Sequence, residues 1–176
     1  MNLTIPDLLE GSDFHGSYRA WEQMRRPLTS LIDSSESVLD VGCGNGFLLA
    51  CLLLWSRNNF LPFGFDINPR RIAMARTLMP AFSPNFRVHD FYCPHWALPM
   101  AEVVLAPWLD NGCFIANCHA HAFTKIVFSA YNDQLDQDSD LIRLCESHGW
   151  KVLGAYEEPG ALQVVAVASQ VLGSTL

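Results

Sequence analysis

In the stretch VLDVGCGNG, Gly42, Gly44 and Gly46 stand at alternate positions, directly after an apolar run that carries Asp40. Glycine loses more backbone freedom on folding than any other residue, so three within five positions imply a turn that needs bare backbone. Without side chains, the N–H and C=O groups of such a turn can touch a ligand directly. Asp66 ends FGFD, twenty residues beyond Gly46. A carboxylate there can accept hydrogen bonds from both hydroxyls of a ribose. Asp90, in FRVHDF, can receive the exocyclic amine of an adenine, with Ile67 and Phe91 offering apolar contacts to its ring. The dinucleotide fingerprint G-x-G-x-x-G would require a glycine at position 47, where this chain has Phe47, so a nicotinamide cofactor is disfavoured.

These residues need strands to carry them and helices to follow. Short β-type runs are expected at Ser37–Val41, Leu61–Asp66, Asn85–His89, Glu102–Ala106, Lys125–Ala130, Trp150–Glu157 and Ala161–Ser169. Helical stretches between them are expected at Gly46–Arg57, Pro69–Met79, Asn111–His121 and Gln134–His148. Pro69 suits a first helical turn, with Asn68 as its cap. Nearly all-apolar strands alternating with helices predict an α/β fold whose parallel sheet is covered on both faces. Only a Pro-Gly turn and its flanks separate the last two strands, which therefore pair as an antiparallel hairpin. Before the first strand, DFHGSYRAWEQMRRPLTSLID reads as an aromatic-rich helix broken at Pro27. Residues 1–33 are accordingly expected to form a helical lid, and 34–176 the core of a single domain.

The chain has 176 residues, 50% of them hydrophobic and 16% charged, enough for one real core and little surface for solvated tails. A net charge of −7 disfavours a primary grip on nucleic acid, although Arg70, Arg71 and Arg76 could cluster on one helix. The first residues lack the basic-then-apolar order of a signal peptide. The apolar run Phe47–Trp55 is too short to span a bilayer. Six cysteines without framework spacing point to reduced thiols and a cytoplasmic location.

Taken together, VLDVGCGNG, GFDIN and HDF resemble the first motif, the acidic end of the second strand and the adenine-contacting acid of the class I S-adenosylmethionine-dependent methyltransferases. The resemblance runs from about Ser34 to Ser169, including the terminal hairpin. It implies a Rossmann-like three-layer α/β/α sandwich with strand order 3-2-1-4-5-7-6. It also implies that S-adenosylmethionine, and its product S-adenosylhomocysteine, lie across Asp40, Gly42, Cys43, Gly44, Gly46, Asp66, Ile67, Asn68, Asp90, Phe91 and Ala106. The segment before the first strand would then close over the cofactor.

A sulfonium is already a strong electrophile, so the protein's main task is to hold a nucleophile in line with the methyl group. A general base is optional, and no catalytic residue is assigned. In methyltransferases of amide or base nitrogens the fourth strand ends in an Asn/Asp/Ser-Pro-Pro-aromatic motif. This chain has Leu105-Ala106-Pro107-Trp108, without the polar residue and the first proline. Trp108 remains a candidate substrate wall, and His119 and His121 candidate bases. Cys93, His95, Cys113, Cys118, His119 and His121 fit no standard zinc spacing, so no metal is expected. Phe14, Tyr18 and Trp21 are read as lid packing facing the methyl-transfer site, with Tyr18 or Arg19 within reach of the cofactor's carboxylate. The lean core predicts methyl transfer to a small-molecule acceptor. A non-catalytic cofactor-binding partner protein is the alternative, and an RNA methyltransferase a lesser one.

Overall fold

The computed structural model describes residues 4–32, 37–56, 59–90, 101–107, 123, 125–130, 143, 145–158 and 162–169. They belong to two compact units, Met1–Phe91 and Tyr92–Leu176.

The first unit opens with α1 (Ile5–Glu10), which local chemistry starts without help from the rest of the chain. Thr4 and Asp7 form a reciprocal capping box, with the Thr4 N–H donating to the Asp7 carboxylate at 2.9 Å, and Pro6 occupies the first turn. Helix α2 (Tyr18–Arg25) begins at Ser17, whose hydroxyl oxygen accepts from the Ala20 N–H at 3.2 Å. At Pro27 the chain tightens into a 3-10 helix over Arg26–Leu31, the break expected there.

Strand β1 (Ser37–Val41) pairs in parallel with β2 (Leu61–Asp66), which pairs in parallel with β3 (Phe86–Val88). Val38, Leu39 and Val41 are fully buried and Asp40 nearly so, as consecutive residues must be when both faces of a parallel sheet are covered. Helix α3 (Phe47–Trp55) follows β1, and α4 (Pro69–Leu78) follows β2. Strand β3 is shorter than expected because Pro80–Asn85 before it winds as a 3-10 helix. The core of the N-terminal segment is built on α3. Trp21 is 1% exposed and stacks on Phe47 at 4.6 Å between ring centroids, with Trp55 at 5.6 Å. Leu8, Leu9 and Cys51 complete that cluster. Truncating a buried tryptophan of this kind costs about 3–5 kcal/mol.

In the second unit, β4 (Val103–Pro107) and β5 (Lys125–Ala130) are parallel. Strand β7 (Leu162–Ser169) runs antiparallel to β5 and to β6 (Trp150–Glu158), so the terminal hairpin is present. The orders β3-β2-β1 and β4-β5-β7-β6 are the two halves of the expected sequence of strands. The expected helix Asn111–His121 and most of Gln134–His148 lie outside the described residues. Among the described residues, no helix is long and apolar enough to cross a membrane.

Candidate functional site

All three glycines of the turn after β1 adopt a left-handed backbone, with φ of 75° at Gly42, 56° at Gly44 and 75° at Gly46. Any other residue would be strained there, which is why glycine recurs at alternate positions. Space forbids side chains as well. A Cβ on Gly44 would lie 2.6 Å from the Gly11 carbonyl oxygen, and one on Gly46 would lie 3.0 Å from Ala75 of α4 and from Met79 just after it. The turn thus sits in close contact with α4 and with the end of α1.

Its polar groups are spent on shaping it. The N–H groups of Gly42 and Cys43 both donate to the Phe65 carbonyl at 2.8 Å, tying the turn to β2. The Gly44 N–H donates to Asp66 Oδ2 at 2.9 Å, while the Asn68 N–H donates to Oδ1 at 2.7 Å. Asp66 therefore joins two strand ends. It is only 5% exposed, because the backbone on both sides folds around its carboxylate. Each oxygen keeps acceptor capacity beyond the one bond it makes. Beside it Ile67 is 64% exposed, an apolar side chain at the surface next to the buried acid. Asn68 caps α4, accepting from the N–H groups of Arg70 and Arg71 at 3.0 and 3.5 Å.

Asp40 lies one residue before the end of β1 and is also buried. Burial pushes its pKa up to about 7, against the lowering effect of Arg25 and with a further raise from Asp66. The Cys43 thiol is buried and its pKa is raised well above the ordinary value, mainly by burial, with the Asp40 and Asp66 carboxylates adding to the effect. It is therefore a neutral packing group. Asp90 is exposed just past β3, whose end is held to β2 by the His89 N–H donating to the Asp66 carbonyl at 3.0 Å. Ala106 is a buried residue of β4 in the second unit. Phe91, Trp108, Cys93, His95, Cys113, Cys118, His119 and His121 lie outside the described residues.

Asn45 escaped the sequence reading, although it is the most connected side chain of the turn. Fully buried, it donates from Nδ2 to the Leu8 carbonyl at 3.0 Å. Its Oδ1 accepts from the Phe47 N–H at 3.2 Å and lies 3.1 Å from the Ser12 hydroxyl, and its own N–H donates to the Gly11 carbonyl at 3.2 Å. One residue thereby fastens α1 and its following turn to the glycines. A polar residue inside an otherwise apolar and glycine stretch was the available signal. A second fastening is the two-pronged ion pair between Asp13, in a left-handed backbone at φ 55°, and Arg71 of α4. Gly64 was missed too. A Cβ on it would meet Cys43 Sγ and the Phe86 ring at 2.7 Å. Of the three arginines on α4, Arg71 is spent on Asp13 and Arg76 donates twice to the Phe86 carbonyl, at 3.1 and 2.7 Å. They therefore do not form a free basic face.

Tyr18 and Trp21 pack on α3 through Phe47, and Phe14 joins the same cluster. Arg19 is exposed on α2.

The sequence matches no protein-family model and no curated protein. Among solved structures, the magnesium protoporphyrin IX methyltransferase of Synechocystis PCC 6803, with bound SAM, is 14% identical and superposes with a TM-score of 0.70 over 96% of this chain and 93% of its own. A SAM-dependent methyltransferase from Aquifex aeolicus is 14% identical, with a TM-score of 0.69 over 94% and 98%. The (4+2)-cyclase SpnF is 11% identical, with a TM-score of 0.70 over 89% and 84%. The architecture of the chain is thus the class I, Rossmann-like methyltransferase fold.

Proposed function

We propose that the chain binds S-adenosylmethionine over the turn Gly42–Gly46 and directs its methyl group to a small-molecule acceptor. The observation that carries this reading is the bond between the two motifs. Gly44 donates to Asp66, so the glycine turn and the acid of the second strand form one preorganised unit. The residues fit such a cofactor. Asp66 retains lone pairs for ribose hydroxyls, and Ile67 offers an exposed apolar face for a ring. Bound there, the cofactor supplies an electrophilic methyl group. The chain's own residues would fix its orientation and keep water away, the proximity contribution this reaction needs.

Residues 4–32 would serve as the closure. Asn45 and the Asp13–Arg71 pair hold that segment against the turn and α4, and both can break and re-form without unfolding the sheet. The acid at position 40, poised near neutrality, lies beneath the turn where a cationic ligand would favour its ionised form.

The likeness to a magnesium protoporphyrin IX methyltransferase supports this reading, and so does the internal use of Arg71 and Arg76, which weakens the case for RNA. A second reading, binding without methylation, is favoured by Leu105-Ala106-Pro107, which offers no polar acceptor at the end of β4, and by the likeness to a protein described as a cyclase. Calorimetry with S-adenosylmethionine, S-adenosylhomocysteine and NAD tests the site. The adenosyl ligands should bind and raise the melting temperature, because ligands selective for the folded state stabilise it by mass action. A stronger response to NAD would end the proposal. Amide exchange with the product bound should show protection over residues 12–26 as well as the glycine turn; protection of the turn alone would remove the lid.

A further inference from the structure

A cleft of about 420 Å³ opens between α1 and the start of α2, away from the polar groups that shape the glycine turn. Ile5 and Leu9 of α1, with Phe14 and Tyr18, give it apolar walls, and Glu10 and His15 are the titratable groups that line it with Tyr18. Its size falls within the range of small-molecule sites. Its chemistry selects a ligand class. Aromatic side chains in the lining suit an apolar ring and attract a cation electrostatically, and a carboxylate at the wall rewards a positive charge while opposing a negative one. The chain's net charge of −7 acts in the same direction at longer range.

The cleft shares its floor with the segment fastened to the glycines. The Leu9 carbonyl accepts from the N–H groups of Ser12 and Phe14 at 3.0 Å, and the adjoining Leu8 and Gly11 carbonyls accept from Asn45. A ligand that orders residues 5–18 therefore also restrains the partners of Asn45.

We propose that this cleft is a binding site for a small organic cation with a ring-sized apolar body, and that its occupancy is transmitted through residues 8–12 to the glycine turn. The site stands apart from the reading of the turn as a cofactor site, since neither its walls nor its charge depend on what binds there.

Three soluble probes of one shape test it: 2-phenylethylamine, 2-phenylethanol and phenylacetate, titrated into the full chain at one fixed pH. No adenosyl ligand is present, so the outcome is independent of whether the turn binds one. The amine should bind about threefold to tenfold more tightly than the alcohol, and phenylacetate most weakly. Glu10→Gln, at an exposed position, should weaken the amine while leaving the alcohol unchanged. Ile5→Trp, also exposed, should fill the cleft and weaken amine and alcohol alike, with circular dichroism unchanged. Amine binding should slow amide exchange at Asn45 in the parent chain. Equal affinity for the three probes, amine affinity that survives Glu10→Gln, or no binding up to about 10 mM would overturn the site. Unchanged exchange at Asn45 would overturn the transmission.

Discussion

The turn after β1 and the turn after β2 lead neighbouring parallel strands into helices of nine and ten residues, yet they begin those helices by different means. After β2 the solution is local. Asn68 adopts an extended backbone, its side chain accepts two N–H groups of α4, and Pro69 fills the first turn. After β1 no side chain of the cap residue helps, three glycines take left-handed conformations, and partners come from two distant segments. Phe65 and Asp66 supply acceptors from β2, and Gly11 supplies one from the end of α1. A locally solved turn folds the same way in isolation. A turn completed by remote segments has a shape that the rest of the molecule can hold or release, which suits a place where a ligand must enter and then be gripped.

The variant that should disturb both turns at once is Asp66→Ala, since it strips an acceptor from Gly44 and from Asn68. Denaturant unfolding should reveal a loss of about 2–4 kcal/mol, and calorimetry an affinity for S-adenosylmethionine at least about tenfold weaker. Parent-like values for both would show that the two turns are independent.

Gly44→Ala should strike the first turn alone. Its φ of 56° and the 2.6 Å approach to the Gly11 carbonyl predict a loss of about 1–3 kcal/mol, together with faster amide exchange in residues 8–12. An unchanged exchange pattern would mean that α1 does not depend on the turn.

Asp40 distinguishes the two turns by pH. Its carboxyl holds a proton up to about 7 in the folded chain but releases it near 3.8 once unfolded. The native state then binds more protons between those values, so this group's contribution is complete below pH 3.8 and disappears as pH rises through about 7. The stability of the parent relative to Asp40→Asn should therefore fall over that window, by on the order of a few kcal/mol at most. A flat difference would place the charge on Asp40 throughout.

Smallest of the four, Asn68→Ala should cost about 1 kcal/mol, as loss of a helix cap does, and leave exchange at Asn45 and Gly46 untouched. A change at those amides would erase the contrast between local and remote construction.

That contrast also explains what could be read from the residues alone. The capped helix α4, the strands β1 and β2 and the break at Pro27 rest on chemistry within a few positions, and all were visible. Helix α1 was overlooked because six residues are too few for an apolar period, although Thr4, Pro6 and Asp7 carried its start. Asn45 and Gly64 owe their roles to distant residues. One is explained by a carbonyl 37 positions earlier, the other by a ring on β3 and the thiol of Cys43. Asp66 was found by its spacing, while its burial follows from two N–H groups whose approach only the folded chain provides.

The missing side chain at Gly64 has one more consequence. It lets Cys43 lie against β2, so a thiol at the centre of the glycine turn is shut away and held in its unreactive, protonated form. Alkylating reagents can reach that sulfur only when the loop lifts from the sheet. The rate at which Cys43 is modified is thus a built-in clock for opening, and any compound that steadies the loop would make the clock run slow.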